Sequence, residues 1–316
     1  MLKCNINHTQ KGYIAGILSA IFFGFSGLFV KLAQGSGLDS ASILILQYII
    51  TIPTMWIIAF LKYKNQIKIN KNDLIKLFFI GMFLQSSVSI FYYESFKYLD
   101  ISIATILLFT YPIWITIFSS FFSKIKLNKV IILSVIITFL GCILVLDILH
   151  INTSFSLKGT LLGLGGAFFL AFSNIFLEKF ENRIPPFILS TYSSTFIFLN
   201  LIIFRFPKQL LHINITKFQL INVALLVFIC QIPPGILMYT AIQYIGAVKT
   251  AIIGNIEIPT AALIGYIFYK ETLNPLQFIG ILLVLGGIML MQNSEYIQNK
   301  LFIYFHKINE QKSYCK

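Results

Sequence analysis

The sequence predicts an all-α integral membrane protein with ten transmembrane helices in two inverted five-helix repeats. Three observations predict it. The 316 residues are 57% hydrophobic and 11% charged, with a mean hydropathy of +0.84, whereas a soluble domain carries roughly 25% charged residues. The apolar residues gather in blocks of about 20, the length that crosses a hydrocarbon core of about 30 Å. A pattern in the first block also returns 147 residues later. Lys11, Gly12, Gly16, Ala20, Phe22, Phe25, Ser26 and Phe29 match Lys158, Gly159, Gly163, Ala167, Phe169, Phe172, Ser173 and Phe176, giving 8 identities in 19 positions. Pro112 and Pro259 keep the same offset. An odd number of spans in each copy makes the copies run oppositely through the bilayer.

The first half is read as residues 1–147, the second as 148–292, and 293–316 as a tail. Span one (12–32) follows a polar stretch, Met1–Gln10, and lacks a small-residue cleavage site, so it is read as a retained helix. Its Gly12, Gly16, Ala20 and Gly24 recur every four residues, just over one turn, and form a stripe where another backbone can approach closely. Span two (41–61) carries Pro53, and a loop rich in lysine follows it. Span three (74–98) ends in Tyr92-Tyr93-Glu94-Ser95. Span four (101–122) holds Tyr111, Pro112 and Trp114, and span five (130–147) closes the half.

Span six (159–180) repeats the stripe as Gly159, Gly163, Ala167 and Ala171, with Ser173 and Asn174 beside it. Span seven is placed at 187–206 and span eight at 218–242, the latter with Gln231, the pair Pro233-Pro234, and Tyr239. Span nine (247–269) contains Asn255, Glu257 and Pro259, and span ten (275–292) closes the second half. Each intramembrane proline removes a backbone donor and frees a carbonyl, which is tolerable at depth only where something else satisfies it. In the tail, Ile297, Leu301, Phe302, Phe305 and Ile308 fall at roughly helical spacing. They predict a short interfacial helix, with a disordered tail as the alternative.

The net charge of +13 is distributed as a membrane topology requires. With the N-terminus inside, 17 lysines and arginines fall on the inner side and 7 on the outer. That bias places both termini in the cytoplasm and excludes a nucleic-acid partner as the reason for the charge. Cys4, Cys142, Cys230 and Cys315 show neither a disulfide framework nor metal-ligand spacing.

Only 11 acidic residues occur, and those inside spans are informative, because a carboxylate at depth costs a few kcal/mol and normally faces a cavity or a partner. Glu257 lies about ten residues into its span, near the middle of the membrane. It is the candidate for binding a substrate amine or a coupling proton. Glu94 is shallower and is the second candidate. Their repeat mates are Thr110 and Thr240, so each half carries one acid at a different place. Tyr93, Tyr111, Trp114 and Tyr239 are candidate aromatic liners, and Ser26, Ser173, Asn174, Gln231 and Asn255 candidate polar liners. The four histidines fall in tails or loops without an i, i+4 partner, and no P-loop or paired-aspartate motif occurs. No catalytic residue, metal site or cofactor is therefore expected.

Several segments together resemble the drug/metabolite transporter superfamily, in its EamA-type form. These are Tyr98-Leu99-Asp100-Ile101-Ser102-Ile103-Ala104 running into Phe109-Thr110-Tyr111-Pro112, then Tyr244-Ile245-Gly246-Ala247-Val248-Lys249, Glu257-Ile258-Pro259, Lys270-Glu271, Gly280 and Gly286-Gly287. The resemblance covers about 12–292. Many such proteins place a glutamate directly before the proline; here Ile258 separates Glu257 from Pro259. The glycine-glutamate that commonly closes that span reads Lys270-Glu271 in the second half and Ser123-Lys124 in the first. The resemblance implies a bacterial inner-membrane exporter or permease of small metabolites such as amino acids, with a midplane cavity built from both halves. Alternating access is the expected mechanism and protons the candidate coupling ion. An uncoupled facilitator, a membrane-embedded enzyme and a non-transporting subunit are the alternatives.

Overall fold

The computed structural model describes residues 7–34, 38–122, 128–147, 156–180, 183–206, 210 and 215–294. Fourteen α-helices account for most of them: α1 (His8–Gly24), α2 (Ser26–Gln34), α3 (Ser40–Lys62), α4 (Lys71–Phe79), α5 (Ser86–Ser95), α6 (Ile101–Leu108) and α7 (Tyr111–Phe122) are followed by α8 (Lys129–Val145), α9 (Leu157–Glu178), α10 (Pro186–Arg205), α11 (Lys217–Leu225), α12 (Ile232–Gly254), α13 (Glu257–Tyr269) and α14 (Pro275–Gln292). Two π-helical turns, Ile80–Gln85 and Leu226–Gln231, join α4 to α5 and α11 to α12. No strand occurs among the described residues. The interfacial helix expected near 297–308 lies outside them.

Among the described residues, eight helical stretches are long and apolar enough to cross a membrane, and α8 is a shorter apolar helix. Their outward faces carry large apolar side chains such as Leu61, Ile203, Phe204 and Leu282. In water such a surface would aggregate; against lipid it is the expected exterior. This is an all-α membrane fold. Local chemistry sets the helix starts: Asp39 and Asn128 accept from Ser42 N (3.3 Å) and Val130 N (2.9 Å). Asn274 and Gln277 form a reciprocal capping box with Pro275 in the first turn of α14.

One apolar stretch, Lys217–Gly254, runs for 38 residues, about twice what a crossing needs. It reverses at Gly246, whose φ of 83° and ψ of 164° lie outside helical space. Neighbouring contacts establish the reversal. Gly12 lies against Tyr244 and Ile245, while Gly16, one turn along α1, lies against both Ala241 and Ile253. Both arms of α12 therefore run back from Gly246 along α1. The first half repeats the arrangement: Gly159 lies against Tyr98 and Leu99, Gly163 against Leu107, and Gly165 against Phe91. Each small-residue stripe thus seats a helical hairpin from the opposite half. Helices in lipid gain little from burial, so this close approach supplies dispersion contacts in its place.

α8 and α14 cross at a third close contact. A Cβ on Gly141 would come within 2.8 Å of Gly280 O, and one on Gly280 within 2.7 Å of Gly141 O. The two π turns occupy equivalent places in the repeat. In the first, Ser86 Oγ donates to Gly81 O (2.8 Å) and Asn200 Nδ2, from α10, donates to Met82 O (2.8 Å). In the second, Pro233 and Pro234 follow one residue later, in the first turn of α12, and have no N–H to donate. Helix breaks before Pro112 and Pro259 are likewise paired. α6 stops at Leu108 and α7 starts at Tyr111; α12 stops at Gly254 and α13 starts at Glu257. Each proline has no N–H for the carbonyl four residues back, and the helix parts there.

Candidate functional site

The paired breaks and π turns converge on a cavity of about 370 Å³ between the halves. α1 contributes Ser19 and Phe23, the first π turn Gln85, and the break before α7 Phe109 and Tyr111. α9 supplies Asn174, and α10 supplies Ser190 and Ser194. The second π turn supplies Gln231, α12 supplies Tyr239 and Thr250, and Glu257 closes the ring from the first residue of α13. A π turn adds a residue to a helical turn and re-aims the side chains around it. Gln85 and Gln231, mates in the repeat, each end one and face this space.

The electrostatics of the lining are one-sided. Glu257 is its one ionisable carboxylate, and no lysine, arginine or histidine lines it among the described residues. The amide oxygens of Gln85, Asn174 and Gln231 are buried without a hydrogen-bond donor. Gln85 Nε2 donates to Tyr239 Oη (2.9 Å), which orients the Gln85 amide. Tyr111 Oη donates to Ala251 O (3.2 Å) and ties the start of α7 to the end of α12. A Cβ on Gly254 would overlap that hydroxyl, so a larger residue there would push the Tyr111 side chain off its bond to Ala251 O. Buried acceptors without donors are costly, and a ligand rich in N–H groups is the natural complement.

Glu257 also lines a second cavity of about 320 Å³, together with Ser102, Thr105, Gln277 and Glu271. At the far end of α13, Lys31 Nζ lies 3.5 Å from Glu271 Oε1 and 3.8 Å from the centre of the Tyr269 ring.

Five of the residues singled out from sequence, Glu257, Tyr111, Asn174, Gln231 and Tyr239, line the central cavity together. Tyr93 and Glu94 line a neighbouring space of about 400 Å³ that shares Ser89 with it, and Glu94 Oε1 accepts from Lys97 Nζ at 2.8 Å. The rest lie elsewhere. Trp114 stacks on Phe118 (5.8 Å) in an aromatic cluster with Phe168. Ser173 is buried and donates to Leu170 O (2.9 Å) within its own helix. Ser26 begins α2 beyond the cavity, and Asn255 is buried in the helix break with its amide oxygen unpaired.

Sequence reasoning missed Ser19, Tyr48, Ser190, Ser194 and Thr250, all of which line the cavity. Ser190 and Ser194 had a signal: they are four apart in the run Ser190-Thr191-Tyr192-Ser193-Ser194-Thr195, a polar patch inside an apolar span. Ser19 had none, since its hydroxyl matters through a contact with Pro234 O (2.8 Å) that is distant in the chain.

Fold and cavity define a multi-pass membrane protein with a polar cavity between its two halves. The model of the EamA-like transporter family matches the chain twice, at residues 10–147 and 157–292. The chain belongs to that family. Among curated proteins it is similar to the uncharacterized transporter YxxF of Bacillus subtilis (strain 168), at 28% identity over 200 residues. That alignment spans 61% of this chain and 60% of the relative's length. A protein of known crystal structure superposes with a TM-score of 0.75 at 13% identity, over 92% of this chain and 98% of that one. That likeness is one of fold.

Proposed function

We propose that the protein is a secondary active transporter of small metabolites that carry an ammonium group, amino acids among them, working by alternating access around the central cavity. The observation that carries this reading is the lining: one carboxylate, Glu257, beside three donorless amide oxygens and no cation among the described residues. An ammonium satisfies the carboxylate and several of these acceptors at once. The positive end of α7 faces the same space without an acid of its own, since Thr110 stands where the second half has Glu257. A half-helix terminus of that kind suits the carboxylate of an amino acid. The second cavity beside Glu257 supports a proton route separate from the substrate's, with Glu257 as the shared coupling residue.

The topology that accompanies this reading has ten crossings, obtained by dividing Lys217–Gly254 at Gly246 and counting the shorter α8 as a crossing, with the halves inverted and both termini cytoplasmic in a bacterial inner membrane. Flux into proteoliposomes tests the function. A panel of amino acids and amines is compared with uncharged analogues, with and without an imposed pH gradient. The proposal expects ammonium-bearing solutes to be carried and the gradient to drive accumulation. Transport that the gradient does not alter points to an uncoupled facilitator. No transport of any solute in the panel refutes the reading and favours an enzyme or a non-transporting subunit.

A further inference from the structure

A crevice of about 510 Å³, away from the central cavity, lies between α4 and the C-terminal end of α9. Its repeat counterpart is the contact between α11 and α2, and the two ends differ. At the counterpart, Ala33, Val223 and Leu226 are completely buried in one core cluster and the helices close on each other. At the crevice the equivalent Leu77, Ile80 and Phe180 are buried as well, but the backbones of α4 and α9 do not close on each other. The sequence difference matches: Asn222, Leu32 and Ala33 at the closed end correspond to Lys76, Lys179 and Phe180 at the open one. Two cations have replaced neutral side chains, and a bulky ring has replaced a methyl, where the gap opens.

The walls are apolar. Ile75 and Phe79, one turn apart on α4, remain 56% and 49% exposed beside the gap, and Phe176 of α9 and Phe180 just past its end also line it. The charges belong to Lys76, Lys179 and Arg183. Asp73 offsets only part of that charge, because its carboxylate lies 3.9 Å from Lys76 Nζ, an ammonium that is itself 61% exposed. Lys179 Nζ sits 4.8 Å from the centre of the Phe176 ring, and the Arg183 guanidinium donates back to Lys179 O. Three cations beside an apolar slot at one membrane face complement an anionic headgroup joined to an acyl chain. A free anion would leave the aromatic walls unused, and a zwitterionic lipid would bring its own ammonium against the lysines.

We propose that this crevice is a binding site for an anionic phospholipid, with the phosphodiester among Lys76, Lys179 and Arg183 and an acyl chain along Ile75, Phe79 and Phe176. The site is independent of the transport reading. Thermal unfolding of the detergent-solubilised full chain tests it, with added phosphatidylglycerol, phosphatidylcholine or inorganic phosphate. A ligand of the folded state raises the unfolding temperature. Phosphatidylglycerol is expected to raise it and the other two to leave it unchanged. The difference between the two lipids should be lost in Lys76→Gln/Lys179→Gln/Arg183→Gln and kept in Lys62→Gln/Lys64→Gln/Lys68→Gln, which removes equal charge from the same face outside the crevice. If the triple crevice variant does not fold, Lys179→Gln alone should at least halve the difference. An equal response to both lipids, an equal response to phosphate, or a lipid difference that survives the crevice substitutions overturns the proposal.

Discussion

Gly246→Ala isolates the reversal on which the second half depends. A residue with a Cβ held at φ 83° and ψ 164° occupies a region open essentially to glycine, at a cost of about 1–3 kcal/mol. The added methyl also lies 2.9 Å from Glu178 Oε1, so that carboxylate must shift. Against this, alanine reduces the freedom of the unfolded chain and recovers about 0.4–1 kcal/mol. The net loss is about 1–2 kcal/mol, a factor of roughly 5–30 in the folded-to-unfolded ratio. Equilibrium unfolding in mixed detergent micelles measures it. The control is Asp100→Ala at the equivalent turn of the first half, where φ is −60° and the side chain makes no capping hydrogen bond. That variant should stay within about 0.5 kcal/mol of the parent. If Gly246→Ala is as stable as the parent, the chain does not turn through this conformation, and α12 is one continuous helix.

Four further variants have outcomes set by local contacts. Gly280→Ala should destabilise the α8–α14 crossing by about 1–3 kcal/mol, because its methyl meets Gly141 O and Val145 N, both backbone atoms that cannot rotate away. Gly286→Ala, with nothing within 4 Å of its Cβ, should instead gain up to about 1 kcal/mol of helix propensity; thermal unfolding of both variants side by side checks the pair. Ser86→Ala leaves Gly81 O without its side-chain donor in the first π turn and should cost about 1 kcal/mol in the same assay. Lys31→Gln breaks a pair whose two side chains are 59% and 57% exposed, so its effect should stay below about 1 kcal/mol at any salt concentration.

The membrane class and the repeat were legible because composition and spacing report them directly. Gly12 and Gly159 announced a close helix approach, but not the partner, which in each case is a hairpin from the opposite half. That exchange is a long-range choice which helical periodicity does not encode. The π turns were hidden for a related reason. Pro233-Pro234 marks the second, while the first carries no proline and depends on Ser86 and on Asn200 from α10. Among candidate site residues, the buried acid Glu257 and the amides of Asn174 and Gln231 were legible because polar atoms at depth need a reason to be there. Trp114 was not: aromatic side chains suit a cavity wall and a packed cluster equally, and only its neighbours Phe118 and Phe168 decide.

We propose that Glu257 receives the substrate or its coupling proton, and that Glu94, held by Lys97 at 2.8 Å in a neighbouring space, does not. Flux in proteoliposomes carrying Glu257→Gln or Glu94→Gln, measured across pH with a solute the parent protein carries, tests this most directly. Glu257→Gln should abolish gradient-driven flux and its pH dependence, while Glu94→Gln retains both. Unchanged flux with an unchanged pH profile in Glu257→Gln would contradict it.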